Sequence, residues 1–290
     1  MNAAAIVVRW RGGDEVDRCL VSLLDYGGDR LSKIVLVDSG SRDGGAERLA
    51  SKFPDIDVVA LDENHSFAHA ANTGIATTEE KLVFLLNPDT EIRENCVSTL
   101  IAGLKGRPGA AGAVPLLINP DGSSQVQWQL RNLPTAWHLA TGRPGTPACS
   151  RPPIEATLVE QPAAAAWLVR REVWDHLGGF EESFAPAWWE DVDFCARLAD
   201  GLNDPAFPSS EGFVMVPDAR VLHSRGSSVS ELRDETFLTA YYGNLLRYAT
   251  QHHENRLALI GPALRLSLMT RGLLKPSRRR AYFAVSHHLY

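Results

Sequence analysis

The chain has 290 residues, 44% of them hydrophobic and 22% charged, enough to bury the core of one large globular domain or of a domain with a helical tail. A formal net charge of −6 argues against a general nucleic-acid binder, which would carry a basic face. Cys19, Cys96, Cys149 and Cys195 stand far apart without a CxxC pair, so neither a zinc knuckle nor a disulfide framework is expected, and the chain reads as reduced and cytoplasmic.

The N-terminal MNAAAIVVRWRGG lacks the basic segment and long apolar core of a signal peptide, and no run is expected to reach the roughly 18 apolar residues of a membrane span. AIVV (5–8) predicts a strand, and Val16, Leu20, Leu23 and Leu24 fall at helical spacing within 14–26. KIVLVDSGS predicts a second strand ending in a Ser/Gly turn, followed by a helix over 43–53. DVVAL (57–61) predicts a third strand, residues 67–77 a third helix, and LVFLLNPD a fourth strand that is apolar on both faces. Continuous apolar strands separated by helices imply an α/β fold with a mainly parallel sheet covered on both sides. Asp38 and Asp89 then lie at the carboxyl ends of two strands, the edge where open parallel sheets bind ligands. Both also suit a simpler role, since VDSGS and NPDT are good turn and capping sequences.

Prolines crowd residues 106–160, so 119–160 reads as loop with a weak strand at SSQVQW, an acceptor-facing or mobile insertion. AAAAWLVRREVWDHLGGF predicts a strand and a short helix ending at Gly178 and Gly179. WWEDVDFCARLADG predicts a helix, and VMVPDARVLHSRGSS another strand followed by a loop that holds His223.

Seven segments occur in an order that resembles family 2 glycosyltransferases of GT-A fold, in the rhamnosyltransferase-like branch. They are AIVVRWRGGDEVDRCLVSL, IVLVDSGSRDGG, NHSFAHAANTGI, LLNPDTEI, AAAWLVRREVWDHLGGFEESF, WWEDVDFCARL and HSRGSS, and they cover residues 5 to 230. The resemblance implies a Rossmann-like catalytic domain over 1–235, with a nucleotide-binding half to 118, an acceptor-facing half from 119, and a helical extension over 236–290. It implies that Asp38 hydrogen-bonds the nucleotide base, that Asn64 and Asn72 lie beside the nucleotide, and that Trp10 stacks near the base. It also implies that Asp89, the last acid of a DxD motif, binds a divalent cation (Mg2+ or Mn2+) on the donor diphosphate with His223. Asp191 matches the base that deprotonates the acceptor hydroxyl. The expected reaction is inverting transfer of a sugar from dTDP-L-rhamnose or a UDP-sugar to a glycan, a lipid-linked sugar or a small molecule.

These residue types suit that chemistry. A departing diphosphate gathers negative charge that a hard, oxygen-bound cation neutralises, and an alcohol becomes a good nucleophile only as a base removes its proton. Glu190 and Asp193 compete with Asp191 for the role of base, although on a helix 190 and 193 share a face and 191 points about 100° away. Their alternative is service at a helix N-terminus. Trp188 and Trp189 suit the core by default, and a sugar-stacking wall is the alternative, with Trp189 and Glu190 as acceptor-facing candidates.

The chain departs from the family pattern in three places. Arg9, Trp10 and Arg11 end the first strand where small polar residues are usual, offering cations toward phosphate. The DxD is reduced to Asn87-Pro88-Asp89, and Ser66 and His69 replace glycines. A sugar-phosphate nucleotidyltransferase and an inactive nucleotide-binding module remain as other readings, whereas a dinucleotide oxidoreductase would need a G-x-G-x-x-G that RWRGGDE lacks. After Glu254 no acid occurs while basic residues interleave with leucines, a pattern for helices that pack on the domain or touch an anionic membrane through 256–280.

Overall fold

The computed structural model describes residues 1–224 and 234–288. Strand β1 (Ala3–Arg9) is buried along its whole length and leads to α1 (Asp14–Tyr26), which turns Val16, Cys19, Leu20 and Leu23 inward. Then follow β2 (Leu31–Asp38), α2 (Gly45–Lys52), β3 (Asp57–Ala60), α3 (Phe67–Ala76), the fully buried β4 (Leu82–Leu86) and the short β5 (Thr90–Ile92). After α4 (Cys96–Gly106) and β6 (Ala110–Ile118) come α5 (Val126–Gln129), β7 (Leu130–Arg131), α6 (Ala136–Ala140), β8 (Thr157–Val159) and β9 (Gln161–Pro162). The last sheet elements are β10 (Ala166–Arg170), α7 (Arg171–Leu177), α8 (Glu190–Gly201) and β11 (Glu211–His223), followed by α9 (Asp234–His252), α10 (Leu257–Leu274) and α11 (Arg279–His288).

Among the described residues nine strands form one sheet in the order β3-β2-β1-β4-β10-β6-β11-β5, with β8 also on β11. The pairs among β3, β2, β1 and β4 are parallel, β10 runs antiparallel to both β4 and β6, and β11 is parallel to β6. The carboxyl ends of β1, β2, β4, β6 and β11 therefore share one edge, and the register sets Arg9 beside Asp38 there. One core lies under α1 and α4, a second under α3, α7 and α8, and a third joins α9, α10 and α11 to α6 and to the start of α8. All four cysteines are free, and burial pushes the thiols of Cys19 and Cys96 up to about 12, which suits inert core residues.

The α/β architecture with a mainly parallel sheet and C-terminal helices agrees with the sequence. The expectation of a loop over 119–160 with a strand at SSQVQW fails, because α5, β7, α6 and β8 lie in that stretch and SSQVQW is not a strand. Only Ser124 bridges Ile118, and Val126–Gln129 is helical. Pairing of β10 with β6 covers Gly112 and Ala113, leaving the edge beyond them open. The Gln129 side chain fills that edge as a peptide group would: its Nε2 donates to the Pro115 carbonyl at 2.5 Å and its Oε1 accepts the Leu117 N–H at 2.9 Å. A glutamine on a helical turn thus replaces a neighbouring strand.

Candidate active site

The NPDT segment is a turn as its composition predicts: the Thr90 N–H and hydroxyl both donate to the Asn87 carbonyl, at 3.2 and 2.6 Å. That turn holds Asp89 at the sheet edge, where its carbonyl accepts the Ser224 N–H at 3.0 Å as the chain leaves β11. Its carboxylate Oδ1 lies 3.4 Å from His223 Nε2, and both side chains are buried. Sequence reading brought these two together. Arg225, Gly226 and Ser227, which supported it, lie outside the described residues.

The state of His223 is set by Gln125, which the sequence did not single out. Gln125 Nε2 donates to two oxygens, the His223 carbonyl and Asn119 Oδ1, both at 2.7 Å. Its amide oxygen therefore faces His223 Nδ1 at 2.9 Å and must accept a proton from it. In the neutral ring Nε2 then carries a bare lone pair toward the Asp89 carboxylate, two acceptors facing each other with a place for a proton or cation between them. Among the described residues no three His, Cys, Asp or Glu side chains converge. The chain's own set is one carboxylate and one imidazole, which suits a divalent ion that takes its remaining ligands from phosphate and water.

The donor side differs from expectation in one respect. Arg9 is not directed at phosphate: it is 1% exposed and ion-paired with Asp38 and, at 2.7 Å, with Asp43. Hydrogen bonding from this guanidinium holds the Asp43 carboxyl below its usual range. The other Asp38 oxygen accepts the Ser41 N–H at 2.8 Å, so both oxygens of the expected base reader already have partners within the chain. Gly45 makes this possible, because a Cβ there would collide with the Arg9 guanidinium. Trp10 is half-buried with the Arg11 guanidinium 4.9 Å from its ring. Exposed Asn64 accepts the Ser39 hydroxyl at 3.0 Å. Asn72 is bound to the turn after α7: its Nδ2 donates to the Phe180 carbonyl at 2.9 Å and its Oδ1 accepts the Phe180 N–H at 3.0 Å. Ser66 caps α3 by accepting the His69 N–H at 3.0 Å, and the His69 ring meets Glu182 at 2.8 Å.

The acids of α8 have separate surroundings. Asp193 is buried and fully engaged, meeting Arg197 and His252 at 2.8 Å each, so it ties α8 to α9. Asp191 keeps part of its surface open although protein surrounds it on most sides. One of its oxygens accepts the Ala164 N–H at 3.2 Å and the other the Val192 N–H at 2.8 Å. Burial raises its proton affinity, and these N–H bonds and the charge of Arg131 act against the rise. Glu190 is raised much further, by burial and then by the charge of Asp191, and its Oε2 has no hydrogen-bond partner. Gln161 Oε1 and Trp189 Nε1 are likewise buried without partners.

Trp188 and Trp189 enter the helix with φ of 74° and 79°, the left-handed region that bulky residues avoid. Buried Asn244 of α9 holds this strained entry by donating to the carbonyls of Ala187 at 2.9 Å and Trp188 at 3.1 Å. Trp189 is 2% exposed against Tyr241 and Tyr248, so its ring offers no open face to a sugar. Half-buried Trp188 has that freedom instead, set edge-on against Phe237 at 4.8 Å.

One short stretch of backbone lies between Asp191 and the turn that carries Asp89. The Ala165 carbonyl accepts the Asn87 N–H at 2.9 Å, and the neighbouring Ala164 donates to Asp191. Cavities of about 540 and 700 Å3 lie elsewhere, one against α1 and one between α9 and α11 beside Pro186.

The fold is GT-A-like, a mostly parallel sheet with C-terminal helices, and the chain is a glycosyltransferase that uses a nucleotide-sugar donor. The chain belongs to glycosyl transferase family 2, whose model matches residues 5–151. It is 28% identical to an N-acetylglucosaminyl-diphospho-decaprenol L-rhamnosyltransferase of Mycobacterium tuberculosis, over 95% of each chain. Its fold resembles that of GalNAc-T7 crystallised with UDP, GalNAc and Mn2+, with a TM-score of 0.66, 15% identity and 86% of this chain covered. This chain spans about half of that one, 48%. It also resembles residues 1–349 of TarS from S. aureus in complex with UDP, with a TM-score of 0.55, 14% identity, and 92% and 71% of the two chains covered.

Proposed function

We propose that the protein is an inverting rhamnosyltransferase that moves L-rhamnose from dTDP-L-rhamnose to a hydroxyl of a lipid-linked glycan. Likeness to the mycobacterial L-rhamnosyltransferase along nearly all of both chains supports the sugar and the acceptor class. The observation that carries the mechanism is the single backbone stretch, Ala164 and Ala165, shared by Asp191 on one side and the Asn87–Asp89 turn on the other. This shared stretch supports a reading in which a base and a diphosphate-side acid serve one site.

Asp191 takes the acceptor proton as the new bond forms, and its raised proton affinity makes it a stronger base than an exposed aspartate. Burial, and then the charge of Asp191, raise the proton affinity of Glu190 beside it. Asp89 and His223 would hold Mg2+ or Mn2+, and Gln125 keeps the His223 lone pair aimed at the place where that ion fits. When bound, the cation neutralises charge on the departing diphosphate. A base on the face opposite the leaving group gives single displacement with inversion. Trp10 and Asn64 border the nucleotide, with Asp38 and Asn72 beneath them as ordered supports.

The test is a panel of dTDP-L-rhamnose and UDP-sugars with Mn2+ and a polyprenyl-diphosphate-linked amino sugar, following released nucleoside diphosphate and the anomeric configuration of product. The expected result is dTDP release with inversion. Turnover of a UDP-sugar alone overturns the donor, pyrophosphate release indicates a nucleotidyltransferase, and binding without turnover indicates an inactive module.

A further inference from the structure

Helix α10 is apolar on two opposite faces, whereas the sequence pattern suggested a basic amphipathic helix. One face buries Ile260, Leu264 and Leu268 against α6, α9 and α11. Arg271 fastens that face by donating to the Tyr242 hydroxyl at 2.5 Å and the Thr141 carbonyl at 2.6 Å. On the opposite face Leu259, Leu266 and Leu273 are 76, 66 and 59% exposed, and Leu274 beside them is 76% exposed. Positions seven apart fall within about 20° of each other on a helix, so the first three form one stripe along the axis.

By length and composition Glu254–Leu274 would suffice to cross a bilayer, with mean hydropathy 1.3. Its inner face is already committed to the protein's own core, so it is placed to lie along a membrane and not through one. Exposed cations flank the stripe in the sequence, Arg256 before it and Lys275, Arg279 and Arg280 after it, with Arg280 also lining the cavity between α9 and α11 beside Asp234 and Glu235. Arg278 is paired with Asp234 at 3.1 Å and is not counted among them. No aspartate or glutamate follows Glu254. A second copy of the same helix would bring these cations together in either orientation, with Glu254 the one acid in the segment to set against them. Anionic phospholipid meets both requirements at once, an acyl layer for the leucines and headgroup charge for the cations.

We propose that the outer face of α10 is a docking surface for an anionic lipid bilayer, with Leu259, Leu266 and Leu273 entering the headgroup–acyl boundary. This stands apart from the choice of donor, and vesicles carrying no glycan acceptor test it. Flotation of the full chain should show at least about tenfold stronger partition to phosphatidylcholine–phosphatidylglycerol vesicles than to phosphatidylcholine alone, weakening with salt. The combined Leu259→Glu, Leu266→Glu and Leu273→Glu variant should lose partition with an unchanged melting temperature, because these side chains touch solvent. Lys275→Gln with Arg279→Gln and Arg280→Gln should lose the preference for anionic vesicles. Equal partition to both vesicle types, no partition, or retained partition in the leucine variant overturns the proposal. So does light scattering that finds a dimer made monomeric by the leucine changes, which would make this face an interface between copies.

Discussion

At the donor end Arg9, Asp38, Asp43 and Ser41 form a closed set, with each buried charge meeting a partner inside the chain. At the acceptor end Glu190 Oε2, Gln161 Oε1 and Trp189 Nε1 are buried with none, behind two tryptophans in the left-handed region. A closed polar set rigidifies, while unsatisfied buried groups weaken the fold and persist where they serve a site. Under the proposed function the first region is a donor floor built for stability and the second an acceptor wall built for reaction. Substitutions in the two regions should fail in different measurements.

The largest effect belongs to the acceptor wall. Asp191→Asn removes basicity at constant size and should lower turnover about 10²–10⁴-fold with donor affinity intact. In the unaltered protein, turnover should fall on the acid side at a pH above the ordinary aspartate value of 3.8, since a base of raised proton affinity is lost earlier as pH falls. Near-normal turnover in Asp191→Asn, together with loss in Glu190→Gln, would move the base to Glu190.

Asp38→Ala should act first on stability. It leaves the Arg9 guanidinium, 1% exposed, with Asp43 and the Arg11 carbonyl, and should cost about 3 kcal/mol in chemical denaturation, the lower end for a broken buried pair. Weaker dTDP binding in calorimetry with unchanged stability would show instead that the Asp38 charge serves the base, and the donor end would no longer be a closed floor.

Gln125→Leu probes the link between the two ends. Without the amide oxygen on Nδ1, His223 loses its fixed tautomer, and Mn2+ affinity in the presence of dTDP should fall about 10–100-fold. Electron paramagnetic resonance of free Mn2+ measures this without turnover. Unchanged affinity would separate Gln125 and His223 from metal binding.

The parallel half was legible because buried strands write themselves as apolar runs and the helices between them repeat at 3.6 residues. Asp89 was legible for the same reason, as a turn acid directly after the buried β4. What could not be read depends on partners far along the chain. Gln125 and His223 are 98 residues apart, and Asn244 grips carbonyls 56 and 57 residues earlier. Arg9 looked available to phosphate because its second partner, Asp43, enters only when the loop after β2 folds back. The sequence reading favoured Trp189 over Trp188 as the sugar-facing ring, but the left-handed turn sends Trp189 inward and leaves Trp188 half-buried. SSQVQW alternated like a strand, but the glutamine side chain supplied the sheet-edge hydrogen bonds that a strand would have made.

Glu190→Gln gives the smallest effect and tests the acceptor wall by its sign. Burial, then the charge of Asp191, pushes the Glu190 carboxyl well above its ordinary range. The folded protein then holds this proton more tightly than the unfolded chain does. The stabilisation is full below the unfolded value and is lost as pH rises through the folded one. Glutamine keeps the neutral shape and never ionises, so the variant should match the unaltered protein near about pH 4 and exceed its stability at alkaline pH. Denaturant midpoints across that range decide it. A variant less stable at alkaline pH would mean that ionised Glu190 has a partner there, and the contrast between a closed donor end and an open acceptor end would fail at the buried acid that carries it.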